Sequence, residues 1–258
     1  MDVMQRSADV LHVKAKGAPC QICGVRDLHL FYEQDGICLL RCNGCGLVFL
    51  DPLPTFDDIR SLYNNGYQNT TAGYLTKVGK KLRRSRQRVA EFKRYVPGGR
   101  FLDVGCNGGF MVEAAREAGF EAFGVELDPF SIDYARRHYP RNTYFLGRIE
   151  DFVRTTTRFD AVYCSEVIEH VPDLNAFVAA IAAVMKPEAV LYITTPDISH
   201  WRRPQNLKRW DGFDPPAHCI YFNPENFGRL LANHGLTVFR KQFAWKPGIK
   251  FFARRNKT

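Results

Sequence analysis

The stretch from residue 100 to residue 129, RFLDVGCNGGFMVEAAREAGFEAFGVELDP, decides the fold. A short apolar strand (100–104) leads into a glycine-rich turn, an apolar-patterned helix (110–118) and a second strand (121–125). This order predicts a strand–turn–helix–strand unit with two parallel strands. Glu126 ends the second strand. Turn glycines let the backbone approach a ligand and a carboxylate here accepts hydrogen bonds from ribose hydroxyls, so the unit is typical of a nucleoside site.

The turn also indicates which nucleoside is bound. A dinucleotide fingerprint would need glycine at positions 105, 107 and 110, but Asn107 and Phe110 stand at two of them. The Gly-Lys-Ser/Thr of a phosphate-binding loop is missing as well. A nucleoside without phosphates fits better than one with a pyrophosphate, and S-adenosylmethionine is such a nucleoside.

The remainder of this region alternates strands and helices. Strands are predicted at 143–146, 159–164 and 189–194, with a helix at 173–185. The pattern predicts an α/β fold with a largely parallel sheet.

Residues 100–129 resemble motif I through the second strand of class I S-adenosylmethionine-dependent methyltransferases. The family pattern D-x-G-x-G-x-G is matched at Asp103, Gly105 and Gly109, with Asn107 in place of the middle glycine. Later segments agree in order, among them FDAVYC (159–164) and the EVIEHV that begins at Glu166. The resemblance covers about residues 97–243 and implies a Rossmann-like sheet with helices on both faces.

The resemblance also implies cofactor contacts. Asp103 and Gly105 would line the methionine end, Glu126 would take the ribose hydroxyls, and Leu127 would lie against the adenine. The full set of expected cofactor-binding residues is Asp103, Gly105, Asn107, Gly109, Glu126, Leu127, Ile149, Glu150 and Cys164.

Four of the eight cysteines form a C-x2-C-x18-C-x2-C pattern, Cys20, Cys23, Cys42 and Cys45. The spacing is that of a four-thiolate zinc site, and a glycine follows each pair, as a tight knuckle requires. Two short strands (28–32 and 37–41) around Asp35-Gly36 complete the layout of a zinc ribbon over residues 15–50. Two disulfides are the alternative.

A four-cysteine zinc site has no open position, so its role is structural. The other cysteines, Cys38, Cys106, Cys164 and Cys219, lack such spacing and are expected to be core or loop thiols. A ribbon ahead of this kind of domain resembles bacterial methyltransferases that tailor saccharides and natural products.

The net charge of +9 is concentrated in two places. Residues 77–94 hold nine basic residues and one acid, and residues 238–258 hold seven basic residues and no acid. The first patch lies in a linker and amphipathic helix (51–96), with a short helix predicted at 55–63. Its charges are either a solvated face or a site for an anion or membrane. The tail, 244–258, is predicted to be a basic extension that touches a membrane surface or forms one more strand.

Two histidines are candidate bases for an acceptor hydroxyl. His170 follows the predicted fourth strand, and His218 lies in a long segment, 196–223, without clear periodicity. The length and the aromatic content of this segment predict a substrate lid. Its aromatic residues are Trp201, Trp210, Phe213 and Tyr221.

Glu166, Glu169 and His170 have the i, i+3, i+4 spacing of one side of a helical turn. With His218 they would suit a divalent ion such as Mg²⁺. The set resembles the metal site of small-RNA terminal 2′-O-methyltransferases and the E-x-x-E-H-V motif of ubiquinone-pathway O-methyltransferases. The alternative is that the two glutamates cap the helix and His170 packs.

Three functions are consistent with these features. The favoured one is O-methylation of a small polar acceptor such as a sugar or a nucleotide-linked glycan, with His170 or His218 assisting deprotonation. The others are an RNA methyltransferase that holds RNA with the ribbon and basic helix, and a non-catalytic binding module. The longest apolar run, residues 176–185, is half of what spans a bilayer, and the N-terminus lacks an apolar signal-like stretch. A cytoplasmic protein is expected.

Overall fold

The computed structural model describes residues 19–59, 61 and 77–257, and they form two β-sheets and six α-helices. The small sheet contains β1 (Leu28–Gln34), β2 (Ile37–Cys42), β3 (Val48–Leu50) and β9 (Ile220–Tyr221). The large sheet contains β4 (Arg100–Val104), β5 (Glu121–Glu126), β6 (Thr143–Leu146), β7 (Phe159–Ser165), β8 (Met185–Thr195), β10 (Leu236–Lys241) and β11 (Ile249–Arg255). The helices are α1 (Val78–Phe92), α2 (Phe110–Glu117), α3 (Pro129–His138), α4 (Ile149–Phe152), α5 (Leu174–Val184) and α6 (Pro224–Asn233).

The large sheet has the order β10-β11-β8-β7-β4-β5-β6. Strands β4 to β8 run parallel, and β11 is antiparallel to both of its neighbours. The chain moves outward from β4 through β5 to β6 and then returns to place β7 on the other side of β4. This reversal of strand order opens a crevice beyond the carboxyl ends of β4 and β7, where α/β sheets bind ligands.

Helices cover both faces of the large sheet, as the sequence predicted. Buried residues of α1, α2 and α3 form one apolar core, and those of α4, α5 and α6 belong to the other. Alternate residues of each strand serve the two cores. Phe101 packs with the first core, for example, and Leu102 with the second.

The basic helix α1 is anchored by an apolar face. Val89 and Phe92 are buried, and the Phe92 ring lies 5.4 Å from Phe101 and 5.5 Å from Phe252. Residues 56–59 are helical, in agreement with the short helix predicted at 55–63, although 60 and 62–63 lie outside the described residues. None of the helices in the described part of the chain is long and apolar enough to cross a membrane.

Two boundaries differ from the sequence-based expectation. Of the two alternatives for the tail 244–258, the structure has one more strand: β11 lies inside the large sheet between β8 and β10, beyond the expected domain end at 243. Its residues Phe251, Phe252 and Ala253 are buried, which the high basic content of this segment had obscured. Strand β8 also begins four residues earlier than predicted, at Met185.

The small sheet is not separate from the rest of the chain. Its fourth strand, β9, comes from the segment 196–223 and pairs antiparallel with β3. Ribbon residues such as Leu39 and Leu47 belong to the same apolar core as α5 and α6. The ribbon therefore packs on one face of the larger fold.

Candidate active site

A cavity of about 810 Å³ lies at the carboxyl ends of the parallel strands. It is within the size range of ligand pockets, about 300–1,000 Å³. The sequence-predicted residues that line it are Asp103, Gly105, Asn107, Glu126, Leu127, Ile149, Glu150, Glu166, His170 and His218.

Asn107 fits the turn after β4 because of its backbone conformation and its side-chain hydrogen bond. Asn107 has φ of 45°, a left-handed conformation that asparagine adopts more readily than most residues. Its Oδ1 accepts a hydrogen bond from the Gly108 amide at 2.7 Å, which stabilises the turn. The departure from the family pattern therefore preserves the backbone conformation.

Gly105 and Gly109 have different roles. Gly105 lines the cavity with φ of 77°, and a Cβ there would lie 2.4 Å from Val167 Cγ2. Gly109 was expected to contact the cofactor, but it is not among the lining residues. It precedes α2 with φ of 78°, and a Cβ would lie 2.7 Å from the Tyr144 hydroxyl, so its function is close packing.

The glycine-rich turn that follows β4, residues 105–109, is named the cofactor turn here. Glu126, at the end of β5, binds this turn and the residues that follow β5. Its carboxylate accepts hydrogen bonds from the amides of Asn107 (2.9 Å), Leu127 (2.7 Å) and Asp128 (3.0 Å). Burial raises the pKa of Glu126, whereas these three amides act in the opposite direction. Burial, followed by the charge of Glu126, raises the pKa of Asp103 well above its ordinary value.

Cys164 was predicted to contact the cofactor, but it is not among the residues that line the cavity. The side chain is fully buried and belongs to the core on the α4–α6 face. Its neighbours Tyr163 and Ser165 line the cavity instead, because successive strand residues point to opposite faces.

His170 and His218 meet edge to face, with ring centroids 4.6 Å apart. His170 Nδ1 lies 2.8 Å from the Ala217 carbonyl oxygen, and His218 Nδ1 lies 2.9 Å from that of Gly212. A carbonyl oxygen only accepts, so each neutral ring carries its proton on Nδ1 and its lone pair on Nε2. Burial, with His218 as the second cause, lowers the pKa of His170 to about 4.

Glu169 is buried beside the histidines. One ligand atom each from Glu169, His170 and His218 lies within 4.8 Å of the others. Thr195 Oγ1 donates to Glu169 Oε2 at 3.1 Å, whereas Glu169 Oε1 is buried without a hydrogen-bond partner. Burial and the nearby Glu166 raise the pKa of Glu169 well above its usual range.

Glu166 does not join this group, contrary to the predicted four-residue set. It has φ of 55° and precedes the single 3-10 turn Ile168–His170, so the helical spacing assumed for the motif does not apply. Its Oε1 accepts a hydrogen bond from Thr194 Oγ1 at 2.7 Å.

The ribbon contacts both segments that carry the histidines. The Leu50 amide donates to the Cys219 carbonyl at 2.9 Å, and the Cys219 amide donates to the Glu169 carbonyl at 2.9 Å. Gln21 reaches the residues after His170, donating to the Pro172 carbonyl (2.7 Å) and accepting from the Leu174 amide (2.8 Å). The positions of His170 and His218 therefore depend on the ribbon.

The aromatic residues of 196–223 do not form the predicted lid lining. None of the four borders the cavity, to which this segment contributes Asp214 and His218. Trp210 and Tyr221 are buried, Phe213 packs against Tyr32 of the ribbon at 5.1 Å, and Trp201 is 72% exposed. The Phe213 ring therefore packs this segment against the ribbon.

Several cavity residues were not predicted from the sequence as site residues. They include Lys81, Arg84, Arg88, Tyr163 and Lys250. The i, i+3, i+7 spacing of the three α1 cations was a usable signal, because it places them on one helix face. Lys250 had no such signal, since its position depends on the pairing of β11 with β8.

The four cysteines of the C-x2-C pairs converge at the end of the ribbon. The Sγ atoms of Cys20 and Cys45 are 3.5 Å apart and those of Cys23 and Cys42 are 3.4 Å apart. All four thiols lie within 4.8 Å of one another. These separations are too long for disulfides, in which the sulfurs are about 2.05 Å apart.

The two knuckles have the same backbone pattern. The Cys20 and Cys42 amides donate to the Val25 and Leu47 carbonyls, and the amides of Gly24 and Gly46 donate back to Cys20 and Cys42. Both glycines have positive φ, 72° and 73°. The pattern matches what the cysteine spacing predicted.

Comparison with known proteins identifies the family. The family profile described as "Methyltransferase domain" matches residues 74–241. A ubiquinone biosynthesis O-methyltransferase of Actinobacillus pleuropneumoniae is 36% identical over 107 residues, which is 38% of this chain and 46% of the relative. Its counterpart from Xanthomonas campestris is 37% identical over 105 residues, or 39% of this chain and 44% of the relative. The matched stretch is less than half of each relative's length.

Solved structures share the fold. The 1,6-didemethyltoxoflavin-N1-methyltransferase of Burkholderia thailandensis, with bound S-adenosylhomocysteine, has a TM-score of 0.59 and 17% identity over 88% of this chain and 99% of its own. The magnesium protoporphyrin IX methyltransferase of Synechocystis has a TM-score of 0.57 and 17% identity over 77% of this chain and 98% of its own. Because the family match spans well over half of the chain, the protein belongs to the methyltransferase domain family.

Proposed function

We propose that the protein transfers the methyl group of S-adenosylmethionine to a hydroxyl oxygen of a small acceptor, with His170 or His218 as the base. The observation that carries this proposal is the histidine pair. Both rings border the cavity that contains the cofactor turn, and backbone carbonyls fix the proton of each ring on Nδ1. A lone pair on Nε2 is what a general base requires.

A phenolic, quinone-type acceptor has more support than the sugar or nucleotide-linked glycan expected from the sequence. The curated relatives described above are named for O-methylation in ubiquinone biosynthesis. A phenol has a pKa of about 10, as in tyrosine, so a histidine can take its proton more easily than that of a sugar alcohol. These names give no support to the RNA hypothesis.

In the proposed mechanism the protein mainly positions the reactants. S-adenosylmethionine supplies an electrophilic methyl group on a sulfonium. Glu126 holds the ribose, and Asp103 and Gly105 hold the methionine end. The cavity then places the acceptor oxygen in line with the methyl group and excludes water, and a histidine removes the hydroxyl proton as the oxygen attacks.

The four cysteines fit a structural zinc ion. Thiolates are the preferred ligands of such sites, and the amide of Gly44 donates to Cys42 Sγ at 3.3 Å, as knuckle amides do. The sulfur separations suit four ligands around one ion. We infer that zinc holds the ribbon together and so supports its contacts with the histidine segments.

A second, divalent cation is consistent with Glu169, His170 and His218. The buried Glu169 Oε1 without a partner is the specific observation that favours it, together with two Nδ1–H groups that donate to carbonyls, as metal-bound histidines do. Such an ion would take the Nε2 lone pairs, so it would stand in place of a histidine base and act by lowering the pKa of an acceptor hydroxyl. Glu166 is not part of this set.

The cofactor contact is tested by calorimetric titration with S-adenosylhomocysteine. We expect Glu126→Ala to weaken binding by about tenfold to a hundredfold, because a charged hydrogen-bonding group contributes about 1.5–3 kcal/mol. The matched control is Glu121→Ala at the start of the same strand, where the side chain is exposed and pairs with Arg100. Equal affinities for the wild type and Glu126→Ala would contradict the assignment.

The base is tested by radiolabelled methyl transfer to catechols, nucleotide sugars and RNA. We expect product only with hydroxyl-bearing small acceptors, and a loss of about 10²–10⁴ in kcat for the variant of whichever histidine is the base, His170→Ala or His218→Ala. S-adenosylhomocysteine affinity should stay within about twofold in both variants, since neither ring is assigned to the cofactor.

His138→Ala is the control for this experiment, because His138 is an exposed residue at the end of α3. Methyl transfer at the wild-type rate by both single variants and by the double variant would refute the role of the histidines. Product from RNA alone would refute the small acceptor.

The metal sites are tested by elemental analysis of purified protein. We expect one zinc per chain, lost in Cys42→Ser and kept in Cys38→Ser, whose thiol lies in the same hairpin outside the cluster. After dialysis against Mg²⁺ or Mn²⁺, a second ion should bind the wild type and Glu166→Gln but not Glu169→Gln.

Substitutions are preferable to chelators here, because a chelator would remove the ribbon zinc together with the second ion. Zinc retained by Cys42→Ser would contradict the four-cysteine site. Equal Mg²⁺ or Mn²⁺ content in the wild type and Glu169→Gln would contradict the second site and leave deprotonation to the histidines alone.

A further inference from the structure

Both acidic and basic side chains line the cavity. The cofactor end carries the acids Asp103, Glu126 and Glu150. The lining also includes four basic residues on α1 and β11, named the basic wall here: Lys81, Arg84, Arg88 and Lys250. The proposed mechanism does not use these four cations.

The basic wall is built from a helix face and a strand. Lys81, Arg84, Ser85 and Arg88 are at i, i+3, i+4 and i+7 of α1, so they share one face, and all four line the cavity. Lys250 comes from β11, where it is paired with Thr194 of β8, and Thr194 is paired with Ser165 of β7. These three strand residues also line the cavity, so the wall continues across the sheet.

Two of the four basic residues, Arg88 and Lys81, have further interactions that show where they lie. Arg88 donates to Glu91 at 2.9 Å, and its guanidinium lies 4.4 Å from the centre of the Tyr192 ring. The Lys81 ammonium lies 5.8 Å from the ring centre of Phe110, the first residue of α2 after the cofactor turn. Lys81 is therefore beside the methionine end of the cofactor site.

The other two basic residues of this wall are Arg84 and Lys250. Within the described part of the chain, neither has a carboxylate within 4.0 Å. Burial lowers the pKa of Lys250, and the charges of Arg88 and Arg84 lower it further, whereas Glu166 opposes them. Arg84 and Lys250 thus place positive charge at the cavity wall without an ion-pair contact to an acid of the described residues.

We propose that Arg84 and Lys250 bind an anionic oxygen group, a phosphate or a carboxylate, that the acceptor carries. The guanidinium of arginine offers paired donors that match either group, and lysine adds a point charge. The proposal rests on the proposed function, because it places the acceptor in the same cavity as the cofactor. It narrows the acceptor to a small molecule with a hydroxyl and an anionic group.

The test is calorimetric titration of the full-length protein, alone and saturated with S-adenosylhomocysteine, with inorganic phosphate, pyrophosphate and benzoate at constant ionic strength. We expect binding to the wild type that weakens at least tenfold in Arg84→Gln and in Lys250→Gln. Arg83→Gln and Lys80→Gln remove the same charges from the same helix at positions that do not line the cavity, and should bind like the wild type. Preference for pyrophosphate indicates a phosphate-bearing acceptor, and preference for benzoate indicates a carboxylate.

S-adenosylhomocysteine affinity separates this inference from the proposed function. It should be unchanged in Arg84→Gln and Lys250→Gln. A tenfold loss would assign these cations to the carboxylate of the cofactor and overturn the inference, while the methyltransferase site itself stands. Equal anion binding by the wild type and the Arg84→Gln/Lys250→Gln double variant would overturn it as well.

Discussion

The pairing of β3 with β9 is the constraint on which the acceptor side of the site depends. It joins Val48 and Phe49 of the ribbon to Tyr221 and Ile220 of the segment that carries His218. Asn223 and Asn226 strengthen the junction, since both side-chain amides donate to the Cys45 carbonyl. Asn226 is almost fully buried, so losing this bond would leave a buried polar group unsatisfied. The end of the ribbon that carries the four cysteines and the segment that carries His218 thus share one small sheet.

This arrangement gives the two parts of the fold separate tasks. The large sheet forms the cofactor turn at its strand-order reversal, and it can do so from local sequence alone. The ribbon makes its described contacts beside the histidine pair. It fixes the backbone on both sides of the histidine pair, through Gln21 on one side and the Leu50–Cys219–Glu169 hydrogen bonds on the other.

The sequence was sufficient where local pattern decides the structure. The unit β4–α2–β5 follows from hydrophobic periodicity, glycine and Glu126 within thirty residues, and the cysteine clusters follow from spacing. It was insufficient where distant segments decide. β9 has two residues and exists only because β3 lies beside it, and β11 was hidden by its basic residues.

The same limit explains the errors in the site. The spacing of Glu166, Glu169 and His170 suggests one helix face, but the left-handed conformation of Glu166 ends the strand before the helical turn begins. Strand alternation turned Cys164 away from the cavity, and Phe213 of the segment 196–223 packs against Tyr32 of the ribbon. Each error came from assigning a side-chain direction before its packing partner was known.

The most direct test of this account is nuclear magnetic resonance of ¹⁵N-histidine-labelled protein, with zinc bound and in the zinc-free Cys42→Ser variant. With zinc bound, we predict that the neutral rings of His170 and His218 both carry their proton on Nδ1. In the variant, the signals of these two histidines should shift toward the averaged tautomers of a mobile ring, while S-adenosylhomocysteine still binds. Unchanged signals of both histidines in folded, zinc-free protein would contradict the claim that the ribbon positions them.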